Sequence, residues 1–224
     1  MKAVIILGGE QPEAGLLRDC LAETDIVICA DSGANWLMQA GRLPDLLVGD
    51  MDSIAEGLDK ELETKGVRVL RRSAEKDETD GQLALDEAMA LGADDITLLG
   101  AAGGRLDHLM GNLQLLVRAA RRGIKAVMAD KTSRAWAATG RTEILGRAGN
   151  TLSILPLGEG VSAAYLSGLK YGTLEPLALP MDCPVGVSNV MTEDTAVVEI
   201  TGWALVVRVW CADNPISVPT TPRF

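Results

Sequence analysis

Residues 44–54 read PDLLVGDMDSI: a short apolar run, a glycine, and two aspartates spaced one apart, Asp50 and Asp52. The run is apolar at successive positions rather than alternate ones, the pattern of a parallel strand covered on both faces. Acidic groups at its end suit either a solvated loop or a cation site, and the neighbouring segments decide between them. The same texture recurs in AVIILGG (3–9), DIVICADSG (25–33), VRVLR (67–71), DITLLGAAGG (95–104) and IKAVMAD (124–130). Helical spacing lies between these runs. In residues 80–92, Leu85, Ala88, Met89 and Leu91 share a face, with Gly92 at the C-terminal cap. In residues 107–123 the stripe is Leu109, Leu113, Leu116 and Ala120, and Gly123 follows a basic last turn. Such alternation predicts an N-terminal α/β domain with a mostly parallel sheet over residues 1–130.

From residue 131 the helical period disappears. RAWAATG, NTLSILPLG, SAAYLSGLKYG, VSNVMT and TAVVEITGWALVVRVWC are short β runs separated by Gly, Pro and Asn. They predict an all-β C-terminal sandwich over residues 131–224, with the last run divided in two by a turn. Trp136, Trp203 and Trp210 are expected in the sandwich core and Trp36 against the first domain, while the Pro-rich tail PISVPTTPRF is expected to be frayed or edge-lying.

Apolar residues make up 47% of the 224, enough for a sizeable core. A formal charge of −10 repels phosphate backbones and anionic lipid, which argues against nucleic-acid and membrane-surface roles. The opening apolar run is too short for a signal peptide or a membrane span and reads as a first strand. Cys20, Cys29, Cys183 and Cys211 are scattered without a C-x-x-C pair, as expected for reduced, mostly buried thiols in a cytoplasmic protein. His108 is the single histidine, so a His-rich zinc centre is excluded.

Ligands of open α/β sheets bind beyond the carboxyl ends of the strands. There the chain places Gly8-Gly9 after the first strand, then Asp31, Gly33 and Asn35 after the second, and Asp50, Asp52 and Ser53 after the third. Asp77 and Asp80 follow the fourth, and a glycine-rich turn with Gly103, Gly104, Arg105, Asp107 and His108 follows the fifth. Taken singly, each has an ordinary explanation. Asp77 and Asp80 can cap a helix, Asp31 can be an N-cap, and His108 can be a structural donor. Together, four or more carboxylates at one rim repel one another unless cations or donors compensate. Hard oxygen ligands favour Mg²⁺, which is typically held by carboxylates together with substrate phosphates. Glycines let backbone N–H groups approach those phosphates, and Arg105 offers a planar fork to one of them. The residues therefore point to a Mg²⁺-dependent polyphosphate-nucleotide site, although neither G-x-x-x-x-G-K-[ST] nor a strand-following G-x-G-x-x-G occurs.

The succession ADSGAN, PDLLVGDMDS, KDETDGQLALDEA and LLGAAGGRLDHLMGN, followed by LSILPLG, SGLKYG and GVSN, resembles the thiamin pyrophosphokinase family over nearly the whole chain. The resemblance implies an α/β domain followed by a β-sandwich. It implies a homodimer with thiamin held between one subunit's α/β domain and the other's sandwich. The implied reaction is transfer of a pyrophosphoryl group from ATP to thiamin, giving thiamin diphosphate and AMP. By motif, Asp50, Asp52, Asp77 and Asp80 match metal and catalytic carboxylates, with Asp80 the preferred acceptor of the hydroxyl proton. Gly9, Asp31, Gly33, Asn35, Ser53 and His108 fall on the nucleotide side with Gly103, Gly104, Arg105 and Asp107, and Arg105 is expected to act in catalysis. Tyr171 matches the aromatic that stacks on thiamin, and Ser188 and Asn189 of GVSN match its polar contacts.

Three positions depart from the family's pattern: Met51 for an aromatic, Ser32 for a glycine and Gly172 for a proline. They bear on affinity more than on chemistry. Two other functions compete, a metal-dependent phosphoesterase and a non-catalytic nucleotide or thiamin diphosphate sensor. A two-metal hydrolase usually needs more nitrogen ligands than one histidine supplies, and a sensor has no need of so many carboxylates facing phosphate.

Overall fold

The computed structural model describes residues 1–73 and 77–210. The chain divides into two compact units, Met1–Lys131 and Thr132–Phe224. In the first, β1 (Lys2–Ile6), β2 (Ile26–Ala30), β3 (Leu46–Gly49), β4 (Arg68–Arg71), β5 (Asp95–Leu99) and β6 (Lys125–Ala129) alternate with α1 (Ala14–Ala22), α2 (Gly33–Gln39), α3 (Leu58–Thr64), α4 (Asp80–Ala90) and α5 (Leu106–Ala120). The six strands are parallel in the order β6-β5-β1-β2-β3-β4. Chain order therefore reverses at β1, the topological switch beyond which open sheets bind ligands. The near-continuous apolar character of β1, β2, β3 and β5 is explained by helices on both faces: Ile5, Ile28, Leu47 and Leu98 are fully buried.

Two helices turn differently from the expected stripes. In α4 the buried positions are Gly81, Ala84, Leu85 and Ala88. Leu91 lies at the C-cap and is exposed, because the helix has ended before it, and Gly92 takes the left-handed conformation just beyond. In α5 the buried residues are Leu115, Leu116 and Ala119, so Leu113 and Ala120 flank the seam rather than fill it. Truncating Leu116, which is fully buried, to Ala would cost about 2–5 kcal/mol.

The second unit contains β7 (Ser133–Leu145), β8 (Thr151–Pro156), β9 (Ser162–Ser167), β10 (Leu177–Ala178), β11 (Asn189–Val190) and β12 (Thr195–Val209). All pairings within it are antiparallel. The final run is one 15-residue strand rather than two strands around a turn. Its register breaks between Ile200 and Ala204, where Gly202 has φ 81°, yet β7 stays alongside from end to end. At that bulge β12 exchanges β9 for β8 as its other neighbour, so one bent strand serves both layers of the sandwich. Trp136 and Trp210 are buried and Trp203 is half-buried. Cys20 and Cys29 are buried free thiols, whereas Cys183 is exposed on a loop; Cys211 and the Pro-rich tail lie outside the described residues. Among the described residues, no helix is long and apolar enough to cross a membrane.

Candidate active site

The ends of β2 and β3 build an acidic corner. Asp31 leaves β2 in the left-handed region, φ 48°, while its N–H still donates to the Val48 carbonyl of β3 at 2.8 Å. Asp tolerates this conformation better than most residues. The next residue, Ser32, has φ −59°, so a serine fits where the family pattern has glycine. At the end of β3, Met51 is also left-handed, φ 70°, and its side chain packs against the core, which turns Asp50 and Asp52 toward each other. The Asp52 N–H donates to Asp50 Oδ1 at 3.1 Å. Asn35 ties the same loop to α2 by accepting from the Ala55 N–H at 3.0 Å. Gly49, φ 144°, must be glycine: a Cβ there would stand 3.1 Å from the Asp31 Cβ and 3.3 Å from Asp80 Oδ1.

Oxygen atoms of Asp31, Asp50 and Asp52 lie within 4.8 Å of one another. Asp31 thus joins the two aspartates of the D-x-D motif. Asp80 stands beside the group, and Asp77 is exposed in the turn ahead of α4. Neither Asp77 nor Asp80 caps α4. The cap is Thr79, whose hydroxyl accepts from the Gln82 N–H at 3.1 Å, leaving Asp80 as the first helical residue.

Burial is the chief cause that pushes the Asp31 carboxyl above the usual range. The Ser53 hydroxyl, donating to Asp31 Oδ2, opposes it, and the charges of Asp80, Asp50 and Asp52 add to the upward push. The other oxygen, Asp31 Oδ1, is buried without a partner. An orphaned carboxylate oxygen inside an all-carboxylate group fits a hard divalent cation, because the cation would complete its coordination and cancel the repulsion.

The loops after β1 and β5 are joined by Gly9 N–H to the Gly100 carbonyl (2.9 Å) and Glu10 N–H to the Ala102 carbonyl (2.7 Å). Gly100, Gly103 and Gly104 all have positive φ, and Asn112 of α5 donates to the Ala101 carbonyl at 2.8 Å. Gly33, at the start of α2, is packed so closely on the end of β1 that a Cβ would strike the Ile6 carbonyl. The Arg105 fork differs from the expectation. It is engaged by Asp107, Nε to Oδ1 at 3.1 Å and Nη2 to Oδ2 at 2.6 Å, because both side chains leave the first turn of α5 on one side. The pair is exposed; each partner stabilises the other's charge, raising the arginine and lowering the aspartate. His108 is also exposed, and its backbone N–H donates to Asp107 Oδ1.

In the second unit the Tyr171 ring is 63% exposed, with Lys170 Nζ 5.3 Å from its centroid. Ser188 has φ 60°, and its N–H donates to Ser153 Oγ of β8 at 3.0 Å. The Asn189 carboxamide is turned to protein: Oδ1 accepts from the N–H groups of Tyr171 (3.0 Å) and Val190 (2.9 Å), and Nδ2 donates to the Tyr171 carbonyl (2.9 Å).

Known proteins resemble the chain in sequence and fold. Residues 17–128 match the family described as thiamin pyrophosphokinase, catalytic domain, and residues 141–203 match thiamin pyrophosphokinase, vitamin B1 binding domain. Thiamine pyrophosphokinase of Bacillus subtilis (strain 168) is 33% identical over 177 residues, covering 76% of this chain and 81% of that protein. Thiamine pyrophosphokinase 1 of Oryza sativa subsp. japonica is 27% identical over 222 residues, covering 86% and 81%. A solved structure of the Bacillus subtilis enzyme superposes with a TM-score of 0.80 at 26% identity, over 94% of this chain and all of that one. A unit with a parallel sheet, a second antiparallel unit, family matches along both, and a relative of this closeness over most of the chain lead to one assignment: the chain belongs to the thiamin pyrophosphokinase family.

Proposed function

We propose that the chain transfers the pyrophosphoryl group of ATP to the hydroxyl of thiamin, with Mg²⁺ at the corner of Asp31, Asp50 and Asp52. The observation that carries the metal assignment is the orphaned Asp31 Oδ1 within that carboxylate group. When bound, Mg²⁺ would supply charge neutralisation for the carboxylates and the ATP phosphates. The thiamin oxygen forms a bond to the β-phosphorus, the bond from that phosphorus to the α-phosphate bridging oxygen breaks, and AMP leaves with the electron pair. Asp80, beside the group, would take the hydroxyl proton, and Asp77 would complete the acidic rim. Such transfer needs positioning and charge stabilisation more than a protein nucleophile. The glycine loops after β1 and β5 would bring backbone N–H groups to the nucleotide, together with Gly33, Asn35, Ser53 and His108. Arg105 would steady charge on the departing AMP after exchanging Asp107 for phosphate.

Tyr171 offers a π face to the cationic thiazolium, an attraction of about 0.5–2 kcal/mol. The proposed assembly is a homodimer in which thiamin lies between the α/β unit of one protomer and the sandwich of its partner, and sedimentation velocity tests its first element, the dimer. Exposed Leu106 (79%) and Leu174 (83%) are apolar surface that an assembly would cover. The free thiols of Cys20, Cys29 and Cys183 suit a reducing, cytoplasmic setting.

Product analysis tests the reaction. Incubated with thiamin, ATP and Mg²⁺, the protein is expected to release AMP and thiamin diphosphate in equal amounts. ADP, or phosphate released without thiamin, would overturn the proposal.

A further inference from the structure

The Tyr171 backbone is held in an unusual way. Residues 169–171 run antiparallel to residues 189–191: Leu169 bridges Met191, and the Lys170 N–H donates to the Val190 carbonyl at 2.8 Å. One step further, the main chain of Ser188 turns into the left-handed region, φ 60°, and its N–H goes to Ser153 Oγ instead. Tyr171 is thereby left without a main-chain partner at the end of the ladder. The Asn189 carboxamide fills the place of that missing peptide, accepting from the Tyr171 N–H and donating to the Tyr171 carbonyl. A carboxamide is the one side-chain group that reproduces both halves of a peptide unit.

The bracing is out of proportion to what it supports as structure. Tyr171 buries little, since it is 63% exposed, and the next anchor along the chain is Thr173, beyond Gly172, which is bridged to Leu166 through both its N–H and its carbonyl. Freezing a loop backbone costs conformational entropy that an exposed ring does not return on its own. A fixed aromatic platform, however, lowers the ordering cost of a ligand that stacks on it.

We infer that Asn189 is a positioning residue for thiamin: its carboxamide holds the Tyr171 backbone so that the ring is presented ready to stack, and it makes no contact with the substrate. This rests on the reading of Tyr171 as the thiamin platform. Asn189 has one acceptor oxygen, already bonded twice, and one of its two amide hydrogens is directed at the Tyr171 carbonyl, so three bonds of the carboxamide are made to protein. Ser153 and Ser188 act further back, since their bond fixes the turn that brings Asn189 into place.

The test is a double-mutant cycle on the full-length protein, with initial rates and thiamin titration calorimetry for the parent, Asn189→Ala, Tyr171→Ala and the double variant. Asn189→Ala is expected to raise the thiamin KM about 2- to 30-fold, no more than the stacking it supports contributes, with the ATP KM and kcat at saturating thiamin unchanged. In the Tyr171→Ala background the same change is expected to have no further effect, because the ring it positions is gone. Asn189→Asp, which keeps the acceptor and loses the donor, is expected to fall between parent and Asn189→Ala. Additive losses in the cycle would overturn the inference, since they would mean that Asn189 acts on substrate independently of Tyr171. An unchanged thiamin KM in Asn189→Ala would overturn it too. Absence of thiamin turnover and binding in the parent would instead strike at the proposed function, and hydrogen exchange then still decides the clamp. Exchange at the Tyr171 amide is expected to quicken in Asn189→Ala, and an unchanged rate would show that the clamp does not exist.

Discussion

The Ser53 hydroxyl donates to Oδ2 of Asp31, and the second oxygen of that carboxylate, Oδ1, is buried with no partner at all. One half of the group is satisfied by protein and the other half is left for something the protein does not provide. Three further carboxylates, Asp50, Asp52 and Asp80, surround it and resist its ionisation. Burial and these neighbouring charges both disfavour the ionised form of Asp31, and a divalent cation entering the corner would offset them.

Stability should follow this with pH. The folded-state pKa of Asp31 is raised, so its contribution is fully present below the unfolded value and is lost as pH rises through the folded one. Asp31→Asn removes that loss, and asparagine tolerates the left-handed backbone there. In the absence of divalent ions the variant is expected to melt about 2–4 °C above the parent near pH 8, the two curves meeting as pH falls to about 4. Thermal melts across that range decide it. A gap that widens toward acid pH would contradict the assigned sign.

Adding Mg²⁺ without nucleotide should stabilise the parent, by about 2.7 kcal/mol at a concentration one hundred times its Kd. Asp50→Asn and Asp52→Asn should each lose both this shift and the turnover of thiamin while keeping the far-ultraviolet circular dichroism of the parent. Sodium at matched ionic strength is the control. An equal shift with sodium, or a full shift in both variants, would remove the metal from this corner.

Much of this corner is legible in the sequence, and the exceptions have physical causes. The central strands β1, β2, β3 and β5 stand out because burial on both faces leaves no polar alternation to confuse them, and the strand-end rule brings Asp31, Asp50, Asp52 and Asp80 to one edge. What composition cannot show is φ. The left-handed turns at Asp31 and Met51 accompany the gathering of Asp31 with the D-x-D pair, while Asp77 lies in the turn before α4 because Thr79 caps that helix. Gly202 looks like a turn within an apolar run, and it is a bulge because β7 pairs with both sides of it. The embrace of Arg105 by Asp107 follows no helical pairing rule, since Arg105 is the cap residue two positions ahead of Asp107, whereas the Thr79–Gln82 capping signature was readable from its spacing. The Asn189 clamp was not, since it depends on a turn at Ser188 that many sequences avoid.

Thr79 is expected to matter more than its exposure suggests. Thr79→Ala removes the acceptor for the Gln82 N–H and should cost about 1 kcal/mol, or about 2–4 °C of melting temperature in a chain of this size. Asp80 is the next residue, so fraying of this turn should also lower kcat. Thr79→Ser, which keeps the oxygen, should restore both. A Thr79→Ala variant with parental Tm and kcat would show that the first turn of α4 is held from elsewhere.

The Arg105–Asp107 pair makes the opposite prediction, a large effect on function with none on stability. Both side chains are exposed, so their mutual attraction is screened by water and salt, and removing either should leave the Tm where it is. The guanidinium that Asp107 holds is nonetheless aligned, and a phosphate can replace the carboxylate with similar bidentate geometry. Arg105→Gln should raise the ATP KM about tenfold, the equivalent of one charge-assisted hydrogen bond, with the thiamin KM unchanged. Arg105→Lys should rescue only in part, because an ammonium carries the charge without the fork. Asp107→Asn should leave the fork available and lower the ATP KM, most at low ionic strength. Steady-state kinetics against both substrates at two salt concentrations separate these outcomes. Equal losses for ATP and thiamin in Arg105→Gln would mean that Arg105 shapes the corner as a whole and does not meet the nucleotide.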